Sequence, residues 1–469
     1  MRLPSVLLLI ALGCLAAGAE DWPRFRGPNG SGVSEATGLP VEFGPARNLL
    51  WKTPVPAGHS SPVLAGDRVL LTACEQDRLI TLCLDRDTGR VLWRAAVTRG
   101  RSEHHHANNG PATPSPVTDG RSVYAFFPDF GLISYTLDGR EMWRLPLGPF
   151  RNYKGMGSSP ILARESLVLV CDQDVGSFML SVAKDTGAIR WQKDRSEIPG
   201  NGHSTPVVYQ DAAGANLAVL GATELAGYRL ETGEKVWWVT GLPIQPKSSP
   251  VVGVAPDGRV TVYVSVAGAD EGANPETMPF SRLLSSLDAN KDGRITREEM
   301  GSYIQGDRDG DGVLTEKEYD AFMAGGAAVN ALFAVRPEGR GDLTGTGVVW
   351  RYRKGLPLVP SPVLYRNVLY LVKEGGIVTA LDSGTGDVVG RARLHGALDN
   401  YFASPVVADG KLYLASLSGK VSVLRADRNL ELLAVNSLDD ECFATPAVGP
   451  GRLYVRTRSA LYCFGERRP

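Results

Sequence analysis

Residues 61–93 read SPVLAGDRVLLTACEQDRLITLCLDRDTGRVLW, and the way this stretch divides decides the fold. Pro62-Val63-Leu64 opens a short strand, and Asp67 marks a turn. Val69 to Ala73 makes a second strand and Leu79 to Leu84 a third. The turn Asp87-Thr88-Gly89 leads into a fourth, Val91-Leu92-Trp93. Short apolar runs punctuated by Gly and Asp are antiparallel strands joined by tight turns.

The unit recurs. A Ser/Thr-Pro pair before aliphatic residues stands at Ser61, Ser115, Ser159, Thr205, Ser249, Ser361, Ser404 and Thr445. Successive prolines lie 41–54 residues apart, save for one gap of 112. That spacing matches a propeller blade of four strands. Trp93 returns as Trp143, Trp191, Trp237 and Trp350, and the turn as Asp185-Thr186-Gly187, Glu231-Thr232-Gly233 and Gly384-Thr385-Gly386. Glycine there accepts positive φ, and the indole can bury a broad face between blades. The last unit, Thr445 to Phe464, has room for three strands. Asn48-Leu49-Leu50-Trp51 offers the fourth, so pairing the two ends would close the ring and remove its edges. The expectation is all-β: an eight-bladed β-propeller of four-stranded antiparallel blades. Blades six and seven lack the tryptophan, with Gly390 and Leu433 near its place.

The long gap predicts an insertion over 271–329, between strands Val260–Val264 and Ala331–Val335 of blade five. It contains two twelve-residue loops that match the EF-hand pattern. In the first, Asp288, Asn290 and Asp292 offer side-chain oxygens, Arg294 its carbonyl, Thr296 a contact through water, and Glu299 both carboxylate oxygens. In the second, Asp307, Asp309, Asp311, Val313, Thr315 and Glu318 take the same places. Oxygen ligands suit a hard cation, and Gly293 and Gly312 permit the sharp bend, so two calcium ions are expected. Ile295 and Leu314 should pair across the loops. The starts lie only 19 residues apart, so Glu298 to Gln305 must serve as exit helix for one loop and entry helix for the next. The second loop carries four carboxylates against three, and should bind more tightly.

Arg2, the apolar run Val6 to Leu15 and Ala17-Gly18-Ala19 read as a signal peptide over 1–19, so the mature chain is exported to the periplasm or secreted. A second reading makes Cys14 a lipid anchor, for which Ala11-Leu12-Gly13 is a poor match. Nothing later looks transmembrane. An N-terminal extension follows over 20–47, then propeller over 48–270 and 330–469. The formal charge of −1 argues against a nucleic-acid surface. Five cysteines remain after cleavage. Cys74, Cys83, Cys171, Cys442 and Cys463 sit mostly in apolar runs and read as buried thiols, with Cys442–Cys463 the first pair to check for a disulfide.

Chain reversal at each turn puts the d-to-a and b-to-c connections on one face. All six histidines, His59, His104, His105, His106, His203 and His395, fall in d-to-a connections. Asn108, Asn109, Tyr153, Lys154, Asn201, Lys247, Asn400, Tyr401 and Glu441 join them, with Asp129, Asp172, Asp174 and Glu224 on b-to-c loops. Two readings stand: a ligand or metal site at the channel mouth, with imidazole and carboxylate suited to a transition metal, or side chains that tie down loops and bind water. The insertion is a b-to-c connection and should rise from the same face.

The Asp-x-x-Thr-Gly-x-x-x-Trp pattern resembles the pyrroloquinoline-quinone-type propeller repeat. That repeat builds quinoprotein alcohol dehydrogenases and the lipoprotein that helps assemble outer-membrane β-barrels. The opening Asp21-Trp22-Pro23-Arg24-Phe25-Arg26-Gly27-Pro28 resembles a large family of exported bacterial proteins with this propeller. The dehydrogenases carry adjacent cysteines and a channel calcium beside the quinone. Here no Cys-Cys occurs, and the expected calcium belongs to a peripheral insertion. The expectation is a non-catalytic platform for a protein or small ligand at the histidine face. The alternatives are a quinone-dependent oxidoreductase and a metal enzyme or hydrolase, the last without any supporting spacing.

Overall fold

The computed structural model describes residues 21–197, 200–255, 258–268, 278–307 and 310–466. The signal-peptide and Cys14 readings, and ligand candidate Asp309, lie outside the described residues. Eight antiparallel sheets form the propeller, each with four strands a to d from the inside outward. Blade one has strands Val63–Ala65, Arg68–Glu75, Arg78–Asp85 and Val91–Thr98. Strand Leu49–Pro54 pairs with Ala460–Phe464 and completes blade eight. Blade four carries a fifth short strand, Gly341–Asp342, parallel to its outer strand. Blade five uses Val260–Val266 and Ala331–Val335 as strands b and c, with the insertion between them.

Apolar residues from facing strands meet between blades, as where Val63, Leu70 and Leu79 pack with Val123 and Ile133. Burying each such side chain contributes about 1.5–3 kcal/mol, so the core is spread round the ring. Strand-d tryptophans lock neighbouring blades. Trp51, Trp93, Trp143, Trp191 and Trp350 lie against Gly89, Gly139, Gly187, Gly233 and Gly386 of the next blade's turn, where a Cβ would come within 2.5–2.8 Å of the indole. Each indole N–H also donates to a carbonyl of that blade. Trp237 departs: it donates to Tyr209 Oη in its own blade at 2.7 Å.

In all eight blades the c–d pairing slips by one residue just before the tryptophan position. The bulge aims that side chain at the neighbour. It also sharpens the reading of blade seven. Val423 pairs with Ala434, so Ala434 holds the tryptophan position and Leu433 is the bulged residue. In blade six the register confirms Gly390, where a Cβ would lie 2.1 Å from the Arg428 carbonyl.

The insertion has helices α1, Phe280–Leu287, and α2, Glu316–Ala327. Leu283, Ile295, Met300, Leu314 and Tyr319 form its own small core. The helix expected between the loops is a 3-10 segment, Gly301–Gly306, because the loops are too close for an α-helix and glycine stands at both ends. The five cysteines are free, so the Cys442–Cys463 disulfide is not formed. Cys442 Sγ instead faces the Ala444 and Arg456 carbonyls.

Candidate functional site at the channel mouth

The Ser/Thr-Pro repeats do more than open strands. The Ser61 N–H donates to Ser115 Oγ, Ser115 to Ser159, Ser159 to Thr205, and Thr205 to Ser249. The series continues through Ser361, Ser404 and Thr445, whose N–H returns to Ser61 Oγ. These eight bonds, each 2.9–3.0 Å long, form a closed ring around the channel. Proline after each hydroxyl brings no N–H of its own and presets φ, fixing the chain where it turns into strand a.

Above the ring lies a cavity of about 500 Å³. The residue two places before each ring hydroxyl lines it in every blade: His59, Thr113, Gly157, His203, Lys247, Val359, Phe402 and Phe443. Among the histidines this offset shows at His59 and His203 alone. Extending it round the repeat would have found Phe402, Phe443 and Val359. Phe25 contributes from beneath. The extension crosses the ring, with Trp22 bridged to Leu64, the Pro23 carbonyl accepting from Thr118 N–H, Arg24 donating to the Pro206 carbonyl and Arg26 to that of Pro362. No periodicity marks this plug, because it belongs to no blade.

The structure divides the predicted histidines. His59, His106 and His203 line the cavity, while His104, His105, His395 and Glu441 do not. His104 sits against Tyr153, His105 beside Gly155, and Glu441 pairs with Arg458 at 2.8 Å. Burial, then Arg456 and Arg458, lowers His59 to about 4. Burial, then Lys247 and Lys154, lowers His203 to about 3. Both imidazoles are therefore neutral at pH 7.

The b-to-c carboxylates are committed elsewhere. Asp129 pairs with Arg99, Asp172 forks onto Arg195 at 2.7 and 2.9 Å, and Glu224 pairs with Lys235 at 2.9 Å. Asp174 accepts from Tyr153 N–H and Asn201 Nδ2, each at 2.6 Å, and burial raises it. Among the described residues no carboxylate lines the cavity. Among the described residues no three His, Cys, Asp or Glu side chains are gathered into one group, at this face or in the insertion loops.

The insertion loops are built alike. Gly293 and Gly312 hold φ of 81° and 88°, and the Leu314 N–H donates to Ile295 O at 2.9 Å, as the pairing of those positions requires. In the first loop Asp288 accepts from the Asp292 and Gly293 N–H groups, and Glu299 folds back onto Ala289 and Thr296 N–H. In the second, Asp307 Oδ2 accepts from Gly312 N–H at 3.2 Å and from Arg297. Its Oδ1 is buried without a hydrogen-bond partner. An anionic oxygen left so is costly unless a cation meets it, so this loop's chemistry fits a metal. Gly310 packs against Val175, with Arg151 beside it, so the insertion reaches the mouth face over blade three.

Among the described residues no helix is long and apolar enough to cross a membrane. No curated protein matches the sequence. Solved structures share the fold. BamB from Moraxella catarrhalis has a TM-score of 0.54 at 12% identity, covering 89% of this chain and 99% of that one. A europium-containing methanol dehydrogenase gives 0.60 at 9%, covering 95% and 98%. Quinohemoprotein alcohol dehydrogenase ADHIIG from Pseudomonas putida HK5 gives 0.59 at 9%, covering 96% and 82%. At such identities the likeness is one of fold alone. The family profile described as outer membrane protein assembly factor BamB matches residues 45–155, 82–324 and 342–467. By that match, over blades this regular, the chain belongs to the PQQ-like β-propeller family described under that name.

Proposed function

We propose that the chain is an exported calcium-binding propeller that serves in the cell envelope as a non-catalytic binding or assembly platform, its ligand or partner seated at the channel mouth. The observation that carries this reading is the division of labour there. One residue from each blade builds a cavity wall, while the carboxylates of the same face are spent on ion pairs and loop hydrogen bonds. Such a wall can select a ligand, and among the described residues no carboxylate stands in it. The family's description as an assembly factor favours protein partners in addition.

Calcium would be held by Asp288, Asn290, Asp292, the Arg294 carbonyl, Thr296 and Glu299, and by Asp307, Asp309, Asp311, the Val313 carbonyl, Thr315 and Glu318. What supports this is the loop pattern and the orphaned Asp307 oxygen. The ions would stiffen the insertion beside the mouth without taking part in chemistry.

The test is to titrate the purified chain with pyrroloquinoline quinone and calcium, following absorbance and dye reduction with alcohol substrates. The expected result is no turnover. Stoichiometric quinone binding with dye reduction would sink the platform reading in favour of an oxidoreductase.

A further inference from the structure

The cavity has two unlike arcs. Its polar arc ends on His203 and Lys247, and its apolar arc runs through Val359, Phe402 and Phe443. Because blades follow one another round the ring, the connections bearing Lys154 and His203 face those bearing Phe402 and Phe443 across the channel. Lys154 Nζ donates to Gln245 Oε1 at 2.6 Å, and Lys247 Nζ to the Gln245 main-chain oxygen at 3.3 Å. Among the described residues neither lysine has a carboxylate partner. Asp174, whose charge acts on Lys154, is itself held by Tyr153 and Asn201.

Two ammonium groups are thus gathered on one half-buried wall with only amide oxygens to meet them. Burial lowers both, and the charge of Lys154 adds to the effect on Lys247, which falls to about 8. Gln245, which joins them, holds φ of 58°. A left-handed conformation in a non-glycine residue persists only where its surroundings enforce it, and such strain gathers at binding sites. On the other arc, His59 stacks on Phe443 at 4.2 Å, and Phe402 lies 5.3 Å from Phe443.

We infer that this cavity binds a small organic anion with a flat apolar body, its charged group between Lys154 and Lys247 and its body against Phe402 and Phe443. The anion relieves the repulsion between the lysines, and the rings supply the area that holds the body. A volume of about 500 Å³ is that of a small-molecule site. The inference deepens the platform reading and rests on it for the use of this face.

Two fluorescent probes test it: anilinonaphthalene sulfonate, and phenylnaphthylamine, which keeps the rings and lacks the sulfonate. The sulfonate is expected to bind one per chain, about ten-fold or more tighter than the neutral probe. Lys154→Met with Lys247→Met should weaken the sulfonate by about ten-fold and leave the neutral probe unchanged. Phe402→Ala with Phe443→Ala should weaken both. The charge-keeping pair Lys154→Arg and Lys247→Arg should retain sulfonate binding. Equal binding of the two probes, full sulfonate affinity in the methionine pair, or equal loss in the arginine and methionine pairs would each overturn the inference. The platform reading would survive any of these, since it turns on quinone turnover.

Discussion

At the scale of single residues, chemistry and position have to be read together. Six histidines share one face, yet only three reach the cavity. What separates them is their offset from the ring hydroxyl and the path of the local loop. His59 and His203 stand two residues before Ser61 and Thr205, and are buried uncharged. Their folded values, about 4 and about 3, lie below the usual 6.5. The unfolded chain therefore binds more protons on acidification. Stability from these groups is present above pH 6.5 and is lost as pH falls from there towards 4. Wild-type protein should lose roughly 1–3 kcal/mol between pH 7 and pH 5 from this source, and His59→Gln with His203→Gln should flatten that slope. Urea midpoints at the two pH values decide it; an equal slope in the double variant would show that other groups carry the loss.

At the scale of elements, the strands, turns and outer tryptophans were legible because each blade repeats one pattern of apolar runs and Thr-Gly turns. The bulge before every tryptophan position was not, since one extra residue leaves no mark in an apolar strand of two-residue period. The insertion was legible for a different reason: its loops carry oxygen-bearing side chains and glycine at fixed spacing. Its middle helix was legible in place but not in type, because glycines at 301 and 306 and a short span favour a 3-10 segment. Glu299→Gln with Glu318→Gln should abolish calcium binding by calorimetry, and should raise protease sensitivity within 271–329 to that of the chelated wild type. Intact binding would refute the assignment. Lost binding with unchanged proteolysis would refute the ordering role.

At the scale of the molecule, the ring is held shut twice. Leu49–Pro54 pairs with the last strand, and the circle of hydroxyls closes from Thr445 to Ser61. The extension adds a third tie, reaching strands or carbonyls of blades one, two, four and six before it completes blade eight. A chain beginning at Val55 should lose closing strand and plug together. It would expose the edge of Ala460–Phe464 and lower the melting midpoint by about 10 °C or more. Light scattering should find it associated, through the open edge. A monomeric truncation with an unchanged melt would mean that the ring closes without these ties.

The sequence alone determined the blade count, the closure, the insertion and its loops, because these follow from local patterns that the chain repeats or spaces regularly. It also put the histidines on one face, since strand reversal is a matter of counting. Only the tertiary structure decided which of them meet, that Phe402 and Phe443 stand across from Lys154 and His203, that the carboxylates of this face are already spent, and that Phe25 lines the cavity with them. Those relations join residues from different blades and from a plug that belongs to none. Sequence distance says nothing about them until the ring brings its ends together.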